Sequence, residues 1–477
     1  MFDSSTKITL ILRKVAAVIG LCLYASTGVG QDQPPKLQAQ AEEALVGGNP
    51  TKATELTQQI LSIDPDSYAA LFVLGLAQAD LGEHRAAANA AAKAYRAAVN
   101  DQEKLQAARL VAGSRFQLGH YARSEIWLRR AANHIQSEDD AEAVVREYAR
   151  AARANPLSIE FNATVAPSDN VNGGAEDDEF LLDGAEVFNV IPGLEDIEVG
   201  RVPENQRALS GISYAARMRL GYRINAGDTH ATRLTGYLSG ETFTLSQESQ
   251  DLLDSSPDPD IQDLDGADFA TLTAEVGITH ERSSISPLGP IRASLNFGTF
   301  WNTDERIVDY RDVILQQVMP IDSRNVASVQ ASVRDQRARV DGFVDTVTYD
   351  VVTSLSRVLS TDDVLRLNIA YRFRDADENN TYDEYRSGVT YRFAQPVWNT
   401  SWSTSMQFAF RDYDQFLTTI DGRQDRTVTL GASAVFEDIT YFGFSPSMDI
   451  FATRTVSTAE ENTSSAVQIG FGVTSNF

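Results

Sequence analysis

A chain of 477 residues is longer than one ordinary domain, so at least two folding units are expected. Its 66 Asp and Glu against 41 Lys and Arg, a formal net charge of -25, exclude a nucleic-acid surface, because phosphate contacts need clustered cations. The single cysteine, Cys22, excludes a small fold stapled by disulfides.

Lys7, Arg13 and Lys14 precede the apolar run VAAVIGLCLY, which gives way to small residues ending at Gly28-Val29-Gly30. This reads as a secretory signal over residues 1–30, cleaved near Gly30. The run is shorter than the roughly 20 apolar residues of a comfortable membrane helix. Leu21 stands where a lipoprotein signal places a small residue before its cysteine, so a mature chain without lipid or thiol is expected.

From residue 34 to 156 apolar residues recur at helical spacing and alanine is dense, as in YAALFVLGLAQADLGEHRAAANAAAKAY. Gly48 and Gly82 are 34 residues apart, the period of the tetratricopeptide repeat, and each sits between two helical patterns. Ala41, Gly48, Ala53 and Pro65 hold the repeat's packing positions in a first unit. Leu71, Leu74, Gly75, Gly82, Ala87 and Ala94 hold them in a second. A third unit around Gly119, with Ala112, Ser124, Leu128 and Ala131, requires about three extra residues near Asn100-Asp101. A helix over 140–153 is expected to cap the stack with a polar face. Repeats of this kind bind extended peptides or partner helices in a concave groove, and the register places Phe72, Leu76, Arg109 and Phe116 on the groove-lining helices. Large apolar residues there serve either a client or inter-helix packing.

After Pro156 the period becomes strictly alternating. In LRLNIAYRF, Leu365, Leu367, Ile369, Tyr371 and Phe373 face one way and Arg366, Asn368, Ala370 and Arg372 the other. Runs of this kind number about fourteen over 157–477, many with the 9 to 11 residues that a tilted membrane-spanning strand needs. The expected fold is therefore a helical tetratricopeptide-type solenoid followed by a transmembrane antiparallel β-barrel. A soluble two-sheet protein would also alternate. It would give no reason for Trp301, Tyr391, Phe393, Trp398, Trp402, Phe408 and Phe410 to gather near strand ends, where membrane barrels place aromatic girdles. Short turns such as NAGDT near Gly227 and STDD near Asp362 alternate with longer acidic connections over 167–209, 245–268, 375–381 and 414–425.

The inward faces carry Arg217, Arg219, Arg223, Arg292, Arg366, Arg372, Arg386, Arg392 and Arg411, with Glu275 and Asp350 among the acids. They make either a conduit for anionic or extended polypeptide cargo, or ion-pair networks that fill and stiffen the lumen. No metal or cofactor is expected. The five histidines lack a ligand pair at i, i+4, and the acidic insert DLLDSSPDPDIQDLDGAD has Ile261 where a calcium-binding loop opens with Asp, so a solvated loop is expected. Neither a phosphate-cradling loop nor a nucleophile elbow is present, and no enzyme is expected.

The last strand, SAVQIGFGVTSNF, ends on an aromatic preceded by apolar residues at every second position. Phe471, Val473 and Phe477 resemble the C-terminal signal by which outer-membrane barrels are handed to the barrel-assembly machinery. The first strand and its exit, LSIEFNATVAPSDNVN, with Asn170 and Asn172, directly after a short repeat domain, resemble the surface lipoprotein assembly modulators, also called Slam. That resemblance implies a periplasmic repeat domain, a barrel in the outer-membrane lipid of a Gram-negative bacterium, and a lipoprotein or secreted protein as client. An exopolysaccharide exporter or an anion-selective, porin-like conduit stays open as the alternative.

Overall fold

The computed structural model describes residues 33–476 except 180, 183–184, 187–200, 284–287, 378, 420, 438 and 440–443. The signal segment with Cys22, and Phe477, lie outside the described residues. The chain divides into two compact units, one running through Asn155 and one from Pro156 to Asn476.

Among the described residues, seven helices build the first unit: α1 Gln33–Val46, α2 Pro50–Ile63, α3 Tyr68–Asp80, α4 His84–Ala97, α5 Asp101–Gln117, α6 Tyr121–Ala132 and α7 Glu138–Ala154. Gly48, Gly82 and Gly119 end α1, α3 and α5 at φ of 76°, 78° and 73°, a left-handed conformation that glycine adopts without a Cβ clash. The next amide in each turn, of Asn49, Glu83 and His120, donates back to Ala44, Gln78 and Arg115 at 2.8, 2.8 and 3.0 Å. The same helix stop is thus used three times. The irregular third unit is a longer first helix: α5 has 17 residues against 13 in α3. It starts at Asn100, whose side chain accepts from the Glu103 amide.

Alanine density allows helices to approach closely. Ala87, Ala88, Ala91 and Ala94 of α4 are fully buried, and a Cβ at Gly75 would lie 3.0 Å from Leu110 Cδ2. Ala41, Ala53, Ala112, Ser124, Leu128 and Ala131 are also buried, and the Ser124 hydroxyl donates to the Ala112 carbonyl at 2.9 Å. In α7 only Val144 and Ala151 are buried, and Glu138, Asp139 and Asp140 in its first turn suit the helix dipole.

The second unit is a closed barrel of fourteen antiparallel strands. In chain order they are β1 Leu157–Ser168, β2 Gly211–Ala226, β3 His230–Leu245, β4 Thr271–Arg282, β5 Ile291–Asn302, β6 Glu305–Pro320 and β7 Asn325–Ala338. Then come β8 Thr346–Val358, β9 Val364–Asp375, β10 Tyr382–Arg392, β11 Ser401–Tyr413, β12 Arg423–Val435, β13 Phe444–Ser457 and β14 Ser464–Asn476. β1 pairs with β2 on one side and β14 on the other, Val165 facing Phe471 and Ala163 facing Val473, so the sheet has no free edge.

Alternation sorts the side chains. On β9, Leu367, Ile369 and Tyr371 are exposed on the outer wall while Asn368 and Arg372 point inward. β1 starts and β14 ends at one rim, here the terminal rim; the opposite one is the loop rim. Outward aromatics mark both. Tyr391, Phe393 and Trp402 lie near the terminal rim, Tyr391 and Phe393 edge to face at 5.0 Å. Trp301, Tyr371, Tyr385 and Phe410 lie near the loop rim, and Phe408 sits one step further into the apolar band. The connections are less regular than the alternation of short and long leads one to expect. The tightest turn, Thr303-Asp304, is at the loop rim, while 283–290, 393–400 and 436–443 are longer links at the terminal rim. In the second of these, Trp398 and Asn399 both take positive φ, 54° and 57°, within a two-residue turn. Every cation from Pro156 onward is arginine; all six lysines precede it.

Candidate functional site

In the repeat unit the four proposed groove residues separate. Phe72 is 6 % exposed, stacks on Tyr68 at 5.7 Å and packs with Leu71, Ala88, Leu110 and Val111, so its ring is inter-helix packing and does not line a groove. The Tyr68 hydroxyl donates to the Glu103 carbonyl at 3.2 Å, and burial pushes that phenol's pKa up. Leu76 is half-buried between two core clusters. Arg109 and Phe116, both on α5, are met by α7. Arg109 makes a two-pronged bridge to Glu147 at 2.6 and 3.2 Å, and the Arg150 guanidinium lies 4.7 Å from the Phe116 ring centre.

Glu147 and Arg150 of α7 thus cover Arg109 and Phe116, while Val144 and Ala151 of the same helix pack into the core beside α5. Changing Arg109 and Phe116 together to Ala removes an ion pair worth about 1 kcal/mol or less and a half-buried ring packed against Ala112, Leu128 and Ala151, worth about 1–3 kcal/mol. If the pair contacts a client, pull-down falls at least tenfold at unchanged helicity. Loss of helicity in parallel would return both residues to packing. The Tyr95–His134–Asp101 chain, with contacts of 3.0 and 2.9 Å, gave no sequence signal, because its bonded members are 39 and 33 positions apart.

All the proposed lumen residues point inward, but they divide in two. Arg372 bonds Asp350 at 2.9 Å and reaches Glu384 at 3.6 Å; Arg386 meets both acids; Arg411 donates twice to Glu384 Oε2 at 2.9 and 2.6 Å. Glu384 is 3 % exposed, which its surrounding guanidinium groups make affordable. Arg292 shares Glu281 with Arg233, and Arg219 lies 3.6 Å from Glu160. Arg217 and Arg392 meet no carboxylate among the described residues, and Arg366 reaches only the Ser354 hydroxyl, at 3.5 Å. On the far wall Glu275 accepts from Tyr310 at 3.1 Å, and Arg334 pairs with Asp312 at 2.7 and 2.6 Å.

At the loop rim the two asparagines of the APSDNVN stretch are staples. Asn170, 6 % exposed, donates to the Gly174 and Ser465 carbonyls at 2.9 Å and accepts from the Gly174 amide at 2.9 Å. Asn172 donates to the Asn205 and Arg207 carbonyls at 3.1 and 2.7 Å and accepts from the Leu209 amide at 3.0 Å. They pin the first connection to its own far end and to β14. The acidic insert keeps its aspartates in solvent, as expected, but it is folded and not an irregular loop. It forms α8 Gln247–Asp254 and α9 Pro259–Gln262, with Leu253 fully buried. Asp258 caps α9, and Asp265 with Asp268 forms a reciprocal capping box, so these carboxylates serve backbone amides. Ser256 of the insert donates to Glu204 of the first connection at 2.8 Å.

On β14, Phe471 and Val473 are exposed on the outer wall; Phe477 lies beyond the described residues. Among the described residues no group of three or more His, Cys, Asp or Glu is arranged to hold a metal ion.

No protein-family model and no curated protein matches the chain. Among solved structures it is similar to the TPR2B domain of yeast Sti1 in complex with an Hsp70 peptide (14 % identity, TM-score 0.24), over 25 % of this chain and 97 % of that one. A second is the Yersinia enterocolitica type III secretion chaperone SycD with a peptide of the translocator YopD (16 %, TM-score 0.24), over 27 % and 98 %. A third is OccAB3 of Acinetobacter baumannii (8 %, TM-score 0.35), over 67 % and 99 %.

Proposed function

We propose that this chain is an outer-membrane factor that helps a lipoprotein or secreted protein reach or cross the cell surface. The repeat unit, in the periplasm, receives the client, and the barrel delivers it through the lumen or beside the wall. The observation that carries this reading is the joining, in one chain, of a three-unit helical stack to a closed barrel with an apolar outer wall and a polar lumen. The stack is a shape suited to holding a peptide, and closure satisfies the backbone in lipid. The Slam-like stretch around Asn170 and Asn172 narrows the cargo to lipoproteins or secreted proteins. Membrane lipid, the barrel-assembly machinery acting on the Phe471–Phe477 ending, and the client are the partners; no enzymatic step is assigned.

Deleting the gene and shaving whole cells with protease is expected to leave one surface protein protected inside, at roughly unchanged total amount. If every surface protein stays exposed while exopolysaccharide output or small-anion uptake falls, the conduit reading replaces this one.

A further inference from the structure

We propose that the terminal-rim half of the lumen wall formed by β8 to β11 is an oxyanion site, and that it makes the lumen anion-selective. The register brings two arginines together there. Arg366 faces Thr390 across the β9–β10 pair, and Arg392, two residues on, is its diagonal neighbour. Diagonal neighbours on one face stand about 7–8 Å apart, so two long guanidinium groups converge on a single anion. The inward positions beside them are Ser354 and Ser356 on β8 and Ser403 on β11, hydroxyls that can donate to the remaining anion oxygens.

The carboxylates are elsewhere on this wall. Asp350 and Glu384 lie toward the loop rim, where Arg372, Arg386 and Arg411 surround them. Guanidinium groups that the wall buries are thus paired with acids, and those it leaves in lumen water, Arg366 and Arg392, are not. Arginine is the side chain best matched to a two-oxygen anion, and an uncompensated pair in a channel favours entry of that sign. The far wall differs: around Tyr310 two carboxylates, Glu275 and Asp312, stand beside Arg334, with Arg219 near Glu275 as well, so acids and arginines balance there.

The acidic connections at the loop rim do not cancel this field. The twelve residues of β9, at about 3.3 Å each and a tilt near 40°, separate the rims by roughly 30 Å. The screening length at physiological ionic strength is about 8 Å.

The purified full-length protein in planar lipid bilayers under a KCl gradient tests this without reference to any client. The expected reversal potential has the sign of chloride preference, and inorganic phosphate reduces the chloride current. The double variant Arg366→Gln with Arg392→Gln is expected to bring the chloride-to-potassium permeability ratio to about one and to relieve the phosphate effect. A shift of the band on heating shows that this variant is folded. Cation preference, absence of conductance in the parent, or a folded variant that behaves like the parent would each overturn the proposal. None of these outcomes bears on client retention in the deletion strain, so the two readings fail separately.

Discussion

Glu384→Ala is expected to lower the unfolding midpoint of the barrel in urea more than any other single change on its lumen wall. The carboxylate takes Arg411 twice at 2.9 and 2.6 Å and holds Arg372 and Arg386 at 3.6 and 3.1 Å. Its removal leaves three guanidinium groups facing Asp350 alone. Breaking one member out of a buried ion network costs about 3–5 kcal/mol. The arginine side chains are about one-third exposed to lumen water, which places the loss toward the lower end of that range. Tryptophan fluorescence in detergent, with a loss of the heat-shifted gel band at lower temperature, reads the effect. Glu384→Gln, which keeps an acceptor and removes the charge, should fall between. An unchanged midpoint for Glu384→Ala would mean that water replaces the carboxylate without penalty, and the network would then be ornament to the wall.

A second large effect is expected from the asparagines at the loop rim. Asn172→Ala leaves the Asn205 and Arg207 carbonyls and the Leu209 amide without their partner, at about 1–3 kcal/mol for each group that water cannot reach. Asn170→Ala frees the first connection from the Ser465 carbonyl on β14. The barrel keeps its pairing, so the loss is local. In the double variant trypsin should cleave after Arg201 or Arg207 at least tenfold faster than in the parent, with the heat-shifted band retained. Equal cleavage rates would assign the two residues to something other than holding this connection.

How much of this was legible in the chain depends on the range of the interaction. The strands follow from alternation, because a strand's faces are decided by neighbours two positions apart, as in Leu365 to Phe373, and the aromatics near their ends favour a barrel over two stacked sheets. The repeat turns follow from Gly48, Gly82 and Gly119, since a left-handed stop admits few other residues. The division among the arginines is another matter. Arg372 and Arg366 sit on the same face of the same strand, and only the register with β8 and β10 gives the first two acids and the second none. Phe72, open between a client contact and packing, takes the packing role for a related reason. Its place on a groove helix is a periodic property, whereas its burial under Tyr68 and against Leu110 depends on how close the alanine-rich helices come. The acidic insert is solvated as its polar composition implies, but Asp258, Asp265 and Asp268 also cap short helical turns, a use that composition does not reveal.

The confinement of lysine to the region before Pro156 has a chemical consequence. Lys36, Lys52, Lys93 and Lys104 lie on helices of the repeat unit, and from Pro156 onward the chain has no side-chain primary amine. Guanidinium groups stay protonated under conditions where amines acylate. An amine-directed dye or crosslinker therefore addresses the helical unit alone, and a surface tether through lysine holds the molecule by that unit while the strands remain unmodified.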